Sequence, residues 1–242
     1  LAFCFLSVFI RVIRGCSSSF LFPIGVIRGS PDVESAMEPI DRKRTCLLVV
    51  DVQQGFTPLC PEELPVPGGL DIVPQVNELL RLPWRRVDAS QDWHPPGHCS
   101  FHGQRDNLYP PHCVQGTPGA DFVPGLLTAR FHTIWRKGFE PDRDAYALTV
   151  QHPHYADMVR AEGITTVVVC GLATNICCYF TSRDLRQAGF RVLLVEDASA
   201  GIDVPAAGLF QDRTREEGQA LGIEYTITRA VCQAVEYERS TG

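Results

Sequence analysis

Strand-like apolar runs alternate with helix-period segments from residue 46 to residue 227, and this alternation most limits the folds open to the chain. CLLVVD (46–51) is a continuous apolar run, as a strand covered on both faces requires. RVDASQD (86–92) is a weaker strand, HTIWRK (132–137) is β-branched and aromatic, and TTVVVCG (165–171) is the strongest strand of the chain. RVLLVED (191–197) and IEYTI (223–227) complete the set. Between them, residues 71–80 put Ile72, Val76, Leu79 and Leu80 on one helical face. Residues 153–162 align Tyr155, Met158, Val159 and Glu162, with Gly163 where a helix-ending glycine belongs. A helix over about 175–188 has Cys178, Thr181, Leu185 and Ala188 as its inner stripe and is closed by Gly189, and 204–220 reads as a polar helix. This rhythm predicts right-handed βαβ units, hence a three-layer α/β/α fold with a mainly parallel, Rossmann-like central sheet.

Residues 1–36 do not share the rhythm. LAFCFLSVFI is apolar for ten residues and is then broken by Arg11 and Arg14. It is too short to span a bilayer and lacks the basic-then-apolar order of a signal peptide. Residues 1–31 are basic, contain serine and hold no acid, which is the composition of an organelle transit peptide. Met37 stands just before the first strand, so the expectation is an over-extended reading frame whose start is Met37. A transit peptide and a membrane-surface segment are the other two readings. The expected organisation is a non-core extension over 1–36 and a single domain over 37–242. With 45% hydrophobic and 21% charged residues the chain can bury a sizeable core, which excludes wholesale disorder and a multi-span membrane protein. The net charge of −6, or −9 beyond the basic first 31 residues, excludes a duty on nucleic acid. The ten cysteines form no CxxC pair and no disulfide framework; Cys46 and Cys170 fall in strand runs as reduced, buried thiols, so a reducing, cytoplasmic compartment is expected.

The exception to the alternation is residues 92–131, rich in Pro and Gly and holding four histidines, His94, His98, His102 and His112. A loop this long inside a compact domain is usually functional. Ligands of parallel sheets bind beyond the carboxyl ends of the strands. Asp51 ends the first strand, Asp92-Trp93-His94 the second and Lys137 the third, and a turn from Gly171 through Asn175 leads from the fourth strand into a helix carrying Cys177 in its first turn. Each residue alone has a plain structural reading: Asp51 a cap, Lys137 a solvated end, Cys177 a buried thiol. Their shared edge points to acyl transfer through a thioester. The helix N-terminus and the Lys137 cation are expected to lower the pKa of Cys177. Asp51 would exchange the proton, and backbone N–H groups around Ala173 and Cys177 would receive an oxyanion. Asp92 and His94, two apart in an extended segment, point to one side, and His112 can return to them. One carboxylate and two imidazoles suit Zn²⁺ first, with Fe²⁺ or Mn²⁺ as alternatives. His98 is either a fourth ligand or a hydrogen-bond donor behind the site; His102, His132, His152 and His154 are expected at the surface or in packing.

The segments VVDVQQGF (49–56), DWHPPGHCSF (92–101), YPPHCVQGTPGADF (109–122), WRKG (135–138) and CGLATNICC (170–178) resemble nicotinamidases, also called pyrazinamidases, among the isochorismatase-like cysteine hydrolases. The resemblance runs from about residue 45 to residue 228. It implies a triad of Asp51, Lys137 and Cys177, metal ligands Asp92, His94 and His112, and a cis peptide between Leu172 and Ala173. It further implies that Phe56 and Tyr109 flank the substrate's pyridine ring. The implied reaction is hydrolysis of nicotinamide to nicotinate and ammonia in NAD salvage. The implied partner is a small molecule, with no nucleic acid and no membrane; a homo-oligomer stays open.

Two departures stand out. Asn175-Ile176 replaces the Asp-aromatic pair of many nicotinamidases, which widens the range of substrates, and the spacing around His98 leaves it outside the metal's ligand set. The rival readings are a relative acting on a different small amide, ureide or vinyl ether, a dinucleotide-binding oxidoreductase, and a non-catalytic metal or redox module using Cys177-Cys178. No GxGxxG follows the first strand, which counts against the oxidoreductase.

Overall fold

The computed structural model describes residues 37–241, so the expectations about residues 1–36 lie outside the described residues. The element order is β1 (Thr45–Val50), α1 (Val73–Arg81), β2 (Arg86–Asp92), β3 (Thr133–Lys137), α2 (Tyr155–Ala161), β4 (Thr166–Leu172), α3 (Tyr179–Gln187), β5 (Arg191–Ala200), α4 (Gln211–Ala220), β6 (Glu224–Thr226) and α5 (Thr228–Thr241). The strands form one six-stranded sheet in the order β3-β2-β1-β4-β5-β6, every neighbouring pair parallel. Strand order reverses between β1 and β4, and crevices for ligands open at such a reversal, beyond the carboxyl ends. α1 packs on β1 and β5 with α5 beside it, and α3 packs on β5 with α4 beside it, the two layers that right-handed crossovers running in opposite directions produce.

Every residue of β1, β2 and β4 is buried, which explains their unbroken apolar character where it occurs. β2 looks weak in sequence because it is polar, yet Arg86 and Asp88 pair inside: Arg86 Nε donates to Asp88 Oδ2 at 2.8 Å, and the Tyr155 hydroxyl donates to the same oxygen at 3.1 Å. β3 is an edge strand with Ile134 46% exposed. Gly171 at the end of β4 has φ 124°, and a Cβ there would overlap the Val50 carbonyl oxygen. A glycine thus lets β4 close onto β1 where the crevice opens.

Several boundaries differ from expectation. The helix expected over 175–188 starts as a π-helical turn, Thr174–Cys178, before α3. The polar helix expected over 204–220 is broken: Pro205–Ala207 form one 3-10 turn, Gly208 takes φ 69°, and Val204 bridges Leu209 before α4 begins at Gln211. β5 extends past Asp197 to Ala200 through a register shift against β4, while β6 shrinks to three residues. Helix α5 has no counterpart in the sequence reading; Val231, Ala234 and Val235 bury its short apolar stripe. The loop over 92–131 is tied down by bridges between His94 and Val114, Phe101 and Tyr109, and Gln53 and Phe122. No helix among the described residues is long and apolar enough to cross a membrane.

Candidate active site

The crevice at the reversal collects Asp51, Lys137 and Cys177 from three places in the chain. Asp51 follows β1 with φ 49°, a left-handed conformation that an aspartate tolerates at a cost of about 1–2 kcal/mol. Lys137 closes β3, and Cys177 sits in the π-helical turn after β4. Asp51 and Lys137 are wholly buried and Cys177 is 6% exposed. Lys137 Nζ lies 2.9 Å from Asp51 Oδ2, 2.5 Å from Asp92 Oδ1 and 3.4 Å from Cys177 Sγ. Ser90 on β2 donates to Asp51 Oδ1 at 2.6 Å. Oδ2 pairs with Lys137 as an ion pair and not a well-angled hydrogen bond, and a carboxylate oxygen of Asp51 lies within 4.8 Å of the sulfur.

Burial and charge together set the resting protonation of this group. Burial opposes the ammonium of Lys137, but the carboxylates of Asp51 and Asp92 outweigh it and hold the pKa well above its ordinary value. Burial also opposes ionisation of Asp92, which Lys137 and His94 overcome, keeping its carboxyl well below the usual range. Asp51 goes the other way: burial, reinforced by the Asp92 charge, outweighs Lys137 and Ser90 and raises it. The expected lowering of the Cys177 pKa is overturned. Burial pushes the thiol well up, and Lys137 offsets this only in part because Asp51 and Asp92 face the sulfur as well. The thiol is therefore protonated at rest, and the raised proton affinity of the neighbouring Asp51 carboxylate suits it to receive that proton.

Asp92, His94 and His112 meet next to this group, all buried, with one candidate ligand atom from each lying within 4.8 Å of the others. His94 Nδ1 lies 2.9 Å from the Gly138 carbonyl and His112 Nδ1 lies 2.8 Å from the Pro110 carbonyl. A carbonyl only accepts, so Nδ1 carries the hydrogen in both rings and each Nε2 is left for the site. Burial, with the neighbouring His94 charge, lowers His112 to about 3, so this imidazole is neutral and its lone pair free. Burial works against protonation of His94 too, but Asp92, whose Oδ2 lies 3.5 Å from Nε2, raises it. The donor set of one ionised carboxylate and two imidazoles fits a divalent cation. His98 is not part of this cluster. Its Nδ1 pairs with the Ser100 hydroxyl at 2.8 Å and its Nε2 faces the Arg143 carbonyl at 3.4 Å, while its ring centroid lies 4.3 Å from that of His94. His102, His132 and His154 are exposed and His152 is half-buried, as expected.

Cys177 lines one cleft with Asp92, His94 and His112, of about 430 Å³ with its mouth included, and Asp51 and Lys137 stand buried behind the sulfur. Phe56 and Tyr109 line it beside His112, with ring centroids 5.5 and 5.7 Å from the imidazole. Ala173 and Cys177 also line it, and the Leu172–Ala173 peptide is cis as the resemblance implied. Sequence reasoning missed further members. Tyr146 lines the cleft and its hydroxyl lies 2.9 Å from that of Tyr109. Asp144 and Ile202 also line it, and Asn175 grips both the N–H and the carbonyl of Ile202, at 3.1 and 2.9 Å. Gln53 brackets Asp92, accepting from its N–H and donating to its carbonyl, both at 2.8 Å. Gln53 and Ser90 lie inside or beside the quoted motifs, so position could have drawn notice to them; Tyr146 and Ile202 carry no periodic signal at all.

The isochorismatase domain model matches residues 45–220. The nicotinamidase of Acinetobacter baylyi is 34% identical over 178 residues, 65% of this chain and 82% of that protein. Among solved structures, PnC1 from L. infantum in complex with nicotinate is 32% identical with a TM-score of 0.71, covering 79% of this chain and 96% of the other. The pyrazinamidase of Pyrococcus horikoshii in complex with zinc is 36% identical with a TM-score of 0.64, covering 76% and 99%. Sheet order, cleft and sequence similarity therefore agree: the chain belongs to the isochorismatase family, and within it the similarity runs to nicotinamidases.

Proposed function

We propose that this protein is a nicotinamidase, an amidohydrolase that converts nicotinamide to nicotinate and ammonia by way of a cysteine thioester. The observation that carries this reading is that Cys177, backed by Asp51 and Lys137, shares one aromatic-walled cleft with Asp92, His94 and His112. The flat pyridine ring lies against Phe56 and Tyr109, with its carboxamide toward Cys177. Cys177 Sγ attacks the carboxamide carbon as its proton passes to Asp51 Oδ2. Lys137 steadies the negative charge shared by sulfur and carboxylate, and the N–H groups of Ala173 and Cys177 receive the oxyanion. The C–N bond then breaks, Asp51 returns the proton to the departing nitrogen, and ammonia leaves a thioester behind. Water attacks the thioester carbon, giving its proton to Asp51, and the C–S bond breaks to release nicotinate and restore the thiol. Asp92, His94 and His112 would hold a divalent cation, zinc before iron or manganese given two imidazoles and one carboxylate. Bound there, the cation supplies a Lewis-acid contact for the pyridine nitrogen. The product suits the salvage of NAD, with a small molecule as the partner and the cytoplasm as the setting.

Purified protein supplied with zinc is expected to release ammonia from nicotinamide and to lose that activity on chelation. Folded, zinc-loaded protein that releases none from nicotinamide or pyrazinamide, yet hydrolyses another amide or a ureide, would overturn the substrate reading in favour of a different family activity.

We further propose that the activity resides in a single domain beginning at Met37. The segment behind Met37 is anchored to the sheet: Thr226 Oγ1 donates to Met37 Sδ at 3.5 Å and Arg191 donates to the Pro39 carbonyl at 3.0 Å. A chain starting at Met37 is expected to equal the full chain in solubility, unfolding temperature and ammonia release. A drop in unfolding temperature would show that residues 1–36 contribute to the fold.

A further inference from the structure

Glu63 belongs to none of the groups above, yet its carboxylate stands behind the metal set. Glu63 Oε2 accepts from the Cys113 N–H at 2.8 Å. Cys113 is the residue after His112, is wholly buried and has φ 47°, a left-handed conformation unusual for a side chain of this kind. Its carbonyl in turn accepts from the His94 N–H at 3.1 Å. One peptide unit thus follows one imidazole directly and holds the backbone of the other. A buried N–H left without an acceptor is costly, so whatever satisfies the Cys113 N–H helps fix this strained residue and both rings.

The space that Glu63 occupies was cleared by two glycines. A Cβ on Gly55 would overlap Oε2, and a Cβ on Gly119 would overlap the same carboxylate. Neither glycine has a positive φ, so neither is needed for its backbone conformation; both are needed for room. The carboxylate therefore fills the position that a side chain on residue 55 would take, and it reaches the Cys113 N–H from the segment following Phe56. Leu64 N–H bonds the Gly55 carbonyl at 3.1 Å, which holds that segment in place.

We infer that Glu63 is a positioning residue for the metal set, acting through Cys113 to hold His112 and His94 at the spacing a divalent cation requires. The inference rests on reading Asp92, His94 and His112 as that set. Its test is zinc affinity, measured by chelator competition, in full-length wild type, Glu63→Ala, Glu63→Gln, His112→Ala and the double variant Gly55→Asp/Glu63→Ala. Glu63→Ala is expected to weaken zinc binding about tenfold or more, the loss usual for an outer hydrogen-bond partner of a metal ligand. Glu63→Gln keeps a carbonyl acceptor and is expected to stay within about threefold of wild type. A Cβ at residue 55 would also meet the Gly119 carbonyl oxygen at 3.0 Å and Cys113 Sγ at 3.1 Å, contacts relieved by shifts of a few tenths of an ångström, so a carboxylate from Gly55→Asp is expected to enter the vacated space and restore most of the affinity lost. Zinc affinity unchanged in Glu63→Ala would overturn the inference. If that variant fails to fold, the double variant decides: recovered binding supports the strut, and a folded double variant that binds zinc weakly overturns it. Wild type that binds no zinc, or His112→Ala that binds it as wild type does, would overturn the metal set itself and the strut with it.

Discussion

Replacing Cys177 with alanine is expected to abolish ammonia release from nicotinamide, lowering kcat at least about a thousand-fold, as removal of a covalent nucleophile does. Unfolding temperature and zinc content are expected to stay at wild-type values, because the side chain projects into the cleft and its removal leaves no sealed cavity. The adjacent thiol provides the control. Consecutive residues of a helical turn, α or π, point in well-separated directions, so Cys177 and Cys178 do not both face the cleft. Cys178 is wholly buried and does not line the cleft. Its electrostatic neighbours include Cys170 of β4, which puts it against the sheet. Cys178→Ala is therefore expected to retain most activity and to cost about 1 kcal/mol for a small cavity. Mass spectrometry after brief exposure to an electrophilic nicotinamide analogue is expected to locate the adduct on Cys177. An adduct on Cys178, or turnover by Cys177→Ala, would falsify the thioester route as assigned.

Removing any one of Asp92, His94 or His112 is the second large effect expected. A set of three ligands has no redundancy, so each alanine variant is expected to lose bound zinc, with affinity falling more than about a hundred-fold, beyond the loss usual for an outer partner. Activity falls with it. Asp92 differs from the two histidines because it also pairs with Lys137 Nζ. Its removal is expected to leave activity low even at saturating zinc, whereas the histidine variants recover in part. His98→Ala is expected to keep its zinc, since both nitrogens of that ring are engaged within the protein. Elemental analysis of the purified variants decides the matter: a His98 variant as metal-free as the other three would mean that the ligand set is wrong.

The fold and most of the site residues were legible because their signals are local. An apolar run such as CLLVVD specifies a covered strand wherever it occurs, and the strand-helix rhythm leaves a parallel sheet as its main solution. Asp51, Lys137 and Cys177 stand at or just beyond strand ends, so once the strands are drawn the three fall on one edge. Asp92 and His94 share a side by strand periodicity alone. Elements were lost where local signals were weak or contradictory. Gly208 interrupts an otherwise helical composition and delays α4 to Gln211, and the narrow stripe of Val231, Ala234 and Val235 makes a helix only because α1 is there to cover it.

What only the tertiary structure decided is the company each group keeps. A sequence places Cys177 at a helix start and so argues for an acidic thiol. Packing it beneath the cleft between two carboxylates reverses the direction, because desolvation falls on the charged form and depends on neighbours distant in the chain. The same holds for Ser90 against Asp51, Gln53 around Asp92, Tyr146 beside Tyr109 and Glu63 behind Cys113, whose partners lie 37 to 50 residues away. Residue type and periodicity determined which side chains reach the crevice. Their protonation, their hydrogen-bonded orientation and the supports behind them follow from contacts that exist only once the β1–β4 crevice has closed around them.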